Sequence, residues 1–224
     1  MSIDSEAVAL KVVLVGEAGV GKTSIISQFI DQIFQEDLQA STGGTFSSKT
    51  LILNNWKTIK FEIWDTAGEE RYRSLTKLFY KDSNAAILVY DITRKESFDE
   101  LKNYWANQIK ELSDSNIILV VDANKYDLSE KEEVDETEAR KFAEELNAIY
   151  CTSSAKNSIG IDDLFLQIAK KYLGNNDIII IEKKGSKEKG ENDELDEQMF
   201  NKVGTMKLSR EQSVSMDKEK KGCC

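Results

Sequence analysis

An α/β domain with a mostly parallel sheet between two layers of helices is predicted by three features of this sequence. Short apolar runs rich in Val and Ile, such as Leu10 to Val15 and Ile117 to Val121, read as buried parallel strands. Between them lie stretches of helical period, such as Ser97 to Leu112 with Phe98, Leu101, Trp105 and Ile109 on one face. Finally, a glycine-rich loop, Gly16-Glu17-Ala18-Gly19-Val20-Gly21-Lys22-Thr23, joins the first strand to the first helix.

That loop carries the most specific chemistry. Its glycines let successive backbone N–H groups curl around phosphate oxygens, and the N-terminus of the helix that follows (Ile25, Ile26, Phe29, Ile30) adds partial positive charge. Lys22 is placed to reach β and γ phosphates, and the Thr23 hydroxyl to ligate Mg²⁺. The nucleotide-binding set therefore runs through Gly16, Glu17, Ala18, Gly19, Val20, Gly21, Lys22, Thr23 and Ser24. Strand Thr58 to Ile63 leads into Trp64-Asp65-Thr66-Ala67-Gly68, where Asp65 is expected to hold Mg²⁺ through water and the Gly68 N–H to meet the γ-phosphate. A contact that exists only with the third phosphate makes the nucleotide a switch.

The base is assigned by two later loops. Asn124-Lys125-Tyr126-Asp127 follows the strand Ile117 to Val121, at the carboxyl edge of the sheet. The Asp127 carboxylate accepts from guanine N1–H and the 2-amino group, whereas adenine offers no such pair of donors. Asn124 is expected to brace the loop, and the Lys125 stem to lie along the ring. Ser154-Ala155-Lys156, after the short run Ile149 to Thr152, fits a second guanine loop with the N–H of Ala155 turned to the base oxygen. Phe34 is a candidate cover for the purine edge, with a place in the core as its alternative. The stretch Asp135 to Leu146 reads as a helix, its start marked by Asp135 as cap and Glu138 as returning carboxylate.

These motifs, in this order over Leu10 to about Leu173, resemble the Ras superfamily of small GTPases. Lys60 to Trp64, Arg71-Tyr72-Arg73-Ser74-Leu75-Thr76 and Leu88 to Thr93 are similar to segments characteristic of the Rab family, and Cys223-Cys224 resembles its prenylation signal. The resemblance implies a six-stranded P-loop NTPase fold over residues 9–174, between a flexible 1–8 and a largely disordered tail from 175 to 224. It further implies GTP hydrolysis with GTP/GDP and Mg²⁺ bound, and a monomer that recruits effectors in vesicle traffic. Its regulators would be an exchange factor, a GTPase-activating protein, a prenylation escort and a GDP-dissociation inhibitor. Geranylgeranylation of both cysteines would carry this cytoplasmic protein onto an endomembrane, and Met206-Lys207-Leu208 resembles an escort-binding pair. Phe46, Trp64 and Phe79 match the aromatic triad that faces effectors.

Two departures stand out. Glu69 occupies the position of the glutamine that orients the attacking water, so it joins Lys22 and Gly68 as a doubtful catalytic candidate. An ionised glutamate only accepts hydrogen bonds and sits beside a polyanion, which predicts slow intrinsic hydrolysis and leaves a GTP-binding interaction module as the alternative. In switch I, Ser41 falls where the family has its Mg²⁺-binding threonine, with Thr42 as rival, and Gly43-Gly44-Thr45 precedes Phe46 without the usual apolar residues. An ATP-using kinase is a third reading that stands only if Asp127 does not read guanine.

Bulk properties exclude other classes. A net charge of −10 disfavours binding to nucleic-acid backbones, and 224 residues leave room for one core and a tail. No apolar run approaches the ~20 residues of a membrane span. Three cysteines with no histidine exclude a structural zinc site; Cys151 is expected in the core. The run Ile178 to Ile181 is expected to pack on the preceding helix or form a local sticky patch.

Overall fold

The computed structural model describes residues 7–36, 44–54, 57–66, 79–112 and 116–185. Strand β1 (Val8–Val15) turns through the glycine loop into helix α1 (Lys22–Asp31). Two strands, β2 (Thr45–Leu53) and β3 (Thr58–Asp65), form an antiparallel pair. Strand β4 (Ala85–Asp91) precedes α2, residues 95–112, which continues through a π turn at Leu101–Trp105. Then follow β5 (Ile118–Asn124), a 3₁₀ turn (Tyr126–Lys131), α3 (Glu136–Glu145), β6 (Ile149–Thr152), α4 (Ile161–Leu173) and β7 (Ile180–Gly185).

The sheet order is β6-β5-β4-β1-β3-β2-β7. The five strands from β6 to β3 are parallel, with every glycine-loop or base-loop motif leaving from a carboxyl end. One face of the sheet packs on α1 and α4, where Phe29 stacks on Phe165 at 3.6 Å between ring centroids and both meet the edge of Phe61. The other face packs on α2 and α3 through Tyr90, Phe98, Trp105 and Ala139.

Lys49, on β2, is buried and donates from Nζ to the Phe29 and Ile30 carbonyls at the end of α1. These carbonyls have no partner further along the helix, so the ammonium satisfies them and also opposes the negative end of the helix dipole.

The structure corrects the sequence reading at two places. The sheet has seven strands where six were expected, because β7 adds antiparallel to β2, with Lys49 opposite Gly185 and Leu53 opposite Ile180. Folded chain thus extends past the expected boundary at 174. Gly174 ends α4 in the left-handed conformation, and the chain then returns: Ile178 is 1% exposed and Ile180 half-buried, while Ile179 and Ile181 point outward. This is the two-residue period of a half-buried strand, hidden in a run of identical residues. Asn54 secures it, its N–H donating to the Ile179 carbonyl at 3.0 Å. The second correction concerns α3. Asp135 caps it as expected, Oδ1 accepting from Thr137 N–H at 2.7 Å, but Glu138 does not return to the backbone. Its carboxylate instead bridges Lys95 and Lys102 of α2, each at 2.5 Å.

Candidate functional site

The glycine loop closes tightly against β4 and β5. A Cβ on Gly16 would lie 2.2 Å from the Val89 carbonyl oxygen, and one on Gly21, at φ +98°, 2.3 Å from Asn124 Nδ2. Only glycine permits both approaches. Beyond Gly21, the first turn of α1 has no side-chain cap, so its N–H groups remain directed at the loop's hollow. Ser24 is half-buried on that turn.

Lys22 is 6% exposed, with Nζ donating to the Gly16 and Glu17 carbonyls at 2.9 Å each. Burial lowers its pKa to about 8, against the opposing pull of Asp65 and Glu17. A partly desolvated ammonium held by its own loop is prepared for a polyanion. The Thr23 hydroxyl donates to Asp65 Oδ2 at 2.6 Å, so the loop and the end of β3 bring two hard oxygen donors together. Thr66 is fixed beside them by donating to the Leu14 carbonyl.

Asn124 joins three loops. Its Nδ2 donates to the Val20 carbonyl of the glycine loop at 2.8 Å, and its Oδ1 accepts from Ser153 Oγ at 3.2 Å and from Ala155 N–H at 3.4 Å. The Ala155 N–H expected to face the base is thus turned toward Asn124 by a long bond. Asp127 Oδ1 accepts from Ser154 Oγ at 2.6 Å, and Tyr126 N–H donates to the Ser153 carbonyl, so the two base loops set one another's geometry. Lys125 stands at φ +67° and pairs with Asp91 Oδ2 at 2.6 Å. Burial pushes the Asp91 carboxyl upward, yet its bonds to Lys125 and Thr93 hold it below the ordinary carboxylate range. Lys156 reaches Glu36, after α1, at 2.9 Å across an exposed gap.

Several of these partners were not singled out from the sequence. Arg94, between β4 and α2, donates from Nη2 to the Ala18 carbonyl at 2.8 Å and lies 3.1 Å from Glu17 Oε2, tying the phosphate loop to α2. Asp91 and Ser153 likewise reveal themselves only through contacts distant in sequence. Phe34 packs against the core face of α1 and α4, in agreement with its core alternative. Cys151 is buried and its thiol pKa is pushed up by desolvation, as a core cysteine requires. Phe46, Trp64 and Phe79 form one continuous aromatic surface, with centroids 5.2 Å apart at each step. Gly44 makes room for it, since a Cβ there would strike the Phe79 ring at 2.4 Å. Ser41, Thr42, Gly68, Glu69, residues 71–76, Met206 to Leu208 and Cys223-Cys224 lie outside the described residues.

This linkage of a phosphate loop to two base loops is matched by kinship. A family model described as Ras family matches residues 11–174. Ras-related protein Rab-22A of Homo sapiens is 42% identical over 162 residues, 72% of this chain and 82% of that protein. Ras-related protein Rab-31 is 41% identical over 181 residues in Homo sapiens, 78% of this chain and 92% of that protein, and 43% identical over 162 residues in Mus musculus. The chain belongs to the Rab family. It is accordingly a small GTPase of vesicle traffic, binding GTP and GDP and hydrolysing the first to the second. The Rab fold accounts for every strand except β7.

Proposed function

We propose that this Rab holds Mg²⁺ and GTP between Gly16 to Ser24 and Asp65, reads guanine with Asn124, Asp127 and Ala155, and presents Phe46, Trp64 and Phe79 to effectors in its GTP state. The observation that carries this reading is the Asn124 side chain, which spans the glycine loop and the Ala155 loop and so makes base and phosphate recognition one structure. The Thr23 hydroxyl and Asp65 carboxylate suit Mg²⁺, which takes oxygen ligands and keeps several waters. Ser41 or Thr42 would complete that set. When bound, the metal neutralises charge on the β and γ phosphates; Lys22 grips the same oxygens, and the Gly68 N–H meets the γ-phosphate.

Glu69 sets a low intrinsic rate. Glu69→Gln restores an amide that accepts from the attacking water and donates to developing charge, so single-turnover hydrolysis of preloaded GTP should accelerate roughly tenfold, about 1.4 kcal/mol of barrier. Nucleotide affinity should barely change. A wild type as fast as the variant removes Glu69 as a handicap.

Geranylgeranylation at Cys223 and Cys224 supplies the bond to the cytoplasmic face of an endomembrane. Each buried CH₂ adds about 0.8 kcal/mol, so two chains anchor stably where one exchanges. An escort, a GDP-dissociation inhibitor, an exchange factor and a GTPase-activating protein then govern the cycle of a monomer. Cys223→Ser with Cys224→Ser should abolish sedimentation with membranes while GDP binding persists. Persistent sedimentation would reject the lipid anchor.

A further inference from the structure

Asp122 is a carboxyl group where nucleotide chemistry requires none. It lies mid-strand in β5, between Val89 of β4 and Cys151 of β6, and is wholly buried. Its Oδ2 lies 2.7 Å from Ser153 Oγ, and its Oδ1 has no hydrogen-bond partner among the described residues. The same Ser153 hydroxyl lies 3.2 Å from Asn124 Oδ1. A hydroxyl has one proton to donate, so it cannot serve both acceptors.

The protonation of Asp122 decides between them. With the carboxylate ionised, Ser153 donates to Asp122, and Asn124 Oδ1 keeps only the 3.4 Å bond from Ala155. With the carboxyl protonated, its O–H donates to Ser153 Oγ, and Ser153 turns its own proton to Asn124. We propose that Asp122 is a positioning residue for Asn124, acting through Ser153, so that gain of one proton tightens the tie between guanine loop and phosphate loop and its loss slackens it. The proposal rests on the reading of Asn124 as a nucleotide-binding residue.

The electrostatic setting supports it. Burial pushes the Asp122 carboxyl up to about 7, the Ser153 bond opposing. Tyr90 on β4 and Cys151 on β6 are the titratable groups that feel its charge; burial raises both, so they stay neutral across this range. Asp163 of α4 also acts on Cys151, and no cation pairs with Asp122 among the described residues.

The test is the release rate of a fluorescent GDP analogue from pH 5.5 to 8.5. Wild type should release nucleotide roughly fivefold faster at the alkaline end, the worth of one ordinary hydrogen bond. Asp122→Asn, whose amide donates permanently to Ser153, should stay slow throughout, and Ser153→Ala should stay fast. The second ionisation of the terminal phosphate falls in the same range, but it is common to all three proteins and cancels in their ratios. A wild-type pH profile retained by Asp122→Asn overturns the proposal, as does an absence of any difference between the two.

Thermal unfolding gives a second measurement. The folded state binds the Asp122 proton more tightly than the unfolded chain does, so wild-type stability should fall as pH rises from about 4 to 7 and level off above. Asp122→Asn should lose that fall; if it keeps it, the carboxyl is not the titrating group. Failure of wild type to bind GDP at all would instead overturn the nucleotide reading beneath the proposal.

Discussion

Asp127→Asn should exchange a guanine-binding protein for a xanthine-binding one. The carboxylate is oriented by Ser154 Oγ, which donates to Oδ1 at 2.6 Å, and an asparagine oxygen can keep that bond. The amide nitrogen then faces the base. It presents N–H groups to N1–H and the 2-amino group of guanine, so two charge-assisted hydrogen bonds become donor against donor. Each such bond contributes about 1.5–3 kcal/mol, which predicts GDP binding weaker by on the order of a hundred- to a thousandfold. Xanthine carries a carbonyl where guanine has its amine and should gain correspondingly. Competition of GDP and XDP against one fluorescent nucleotide measures both changes. Unchanged GDP affinity in the variant would place Asp127 outside the site.

Lys22→Ala should have a comparably large effect through the phosphates. The ammonium is buried, depressed to about 8 by desolvation, and braced on the Gly16 and Glu17 carbonyls. Its removal leaves a polyanion facing backbone dipoles without a full positive charge. A hydrogen bond to a charged partner is worth about 3 kcal/mol at most, so loss of one predicts a weakening of roughly a hundredfold. Because the same nitrogen braces the empty loop, amide hydrogen exchange of β1 and β4 should be compared to show that the sheet is intact. Equal affinity for GTP in wild type and variant, with the sheet intact, would contradict a phosphate-gripping lysine.

The parts of this molecule that were legible in sequence are those whose chemistry is local. The glycine loop reads directly because consecutive residues build it, and Asp127 reads because a carboxylate two residues beyond Lys125 has one evident use. Phe46, Trp64 and Phe79 are recognisable through family likeness, and the structure joins them into one surface. Asp122, Ser153, Arg94 and Lys49 were not legible, because the partner of each is set by the stacking of the sheet. Asp122 and Ser153 meet across 31 residues, and Arg94 reaches back 76 to Ala18. Glu138 shows the same limit from the other side: a capping pattern fits its spacing, but two lysines on a neighbouring helix offer stronger partners than a backbone N–H. The seventh strand escaped because its alternation is invisible when every residue in the run is isoleucine.

That strand changes how mechanical load would enter the domain. Chain leading to the C-terminal cysteines departs from Gly185, opposite Lys49, and not from the end of α4. Tension along the strand axis would shear the β7–β2 hydrogen bonds together, whereas tension across it would open them pair by pair from Lys49 toward Leu53. β2 is also the strand that carries Phe46, paired to Trp64 on β3. A pull from a membrane would therefore reach the aromatic surface within two strands, while the guanine loops, on the far side of β1, would be the last part of the sheet to bear it.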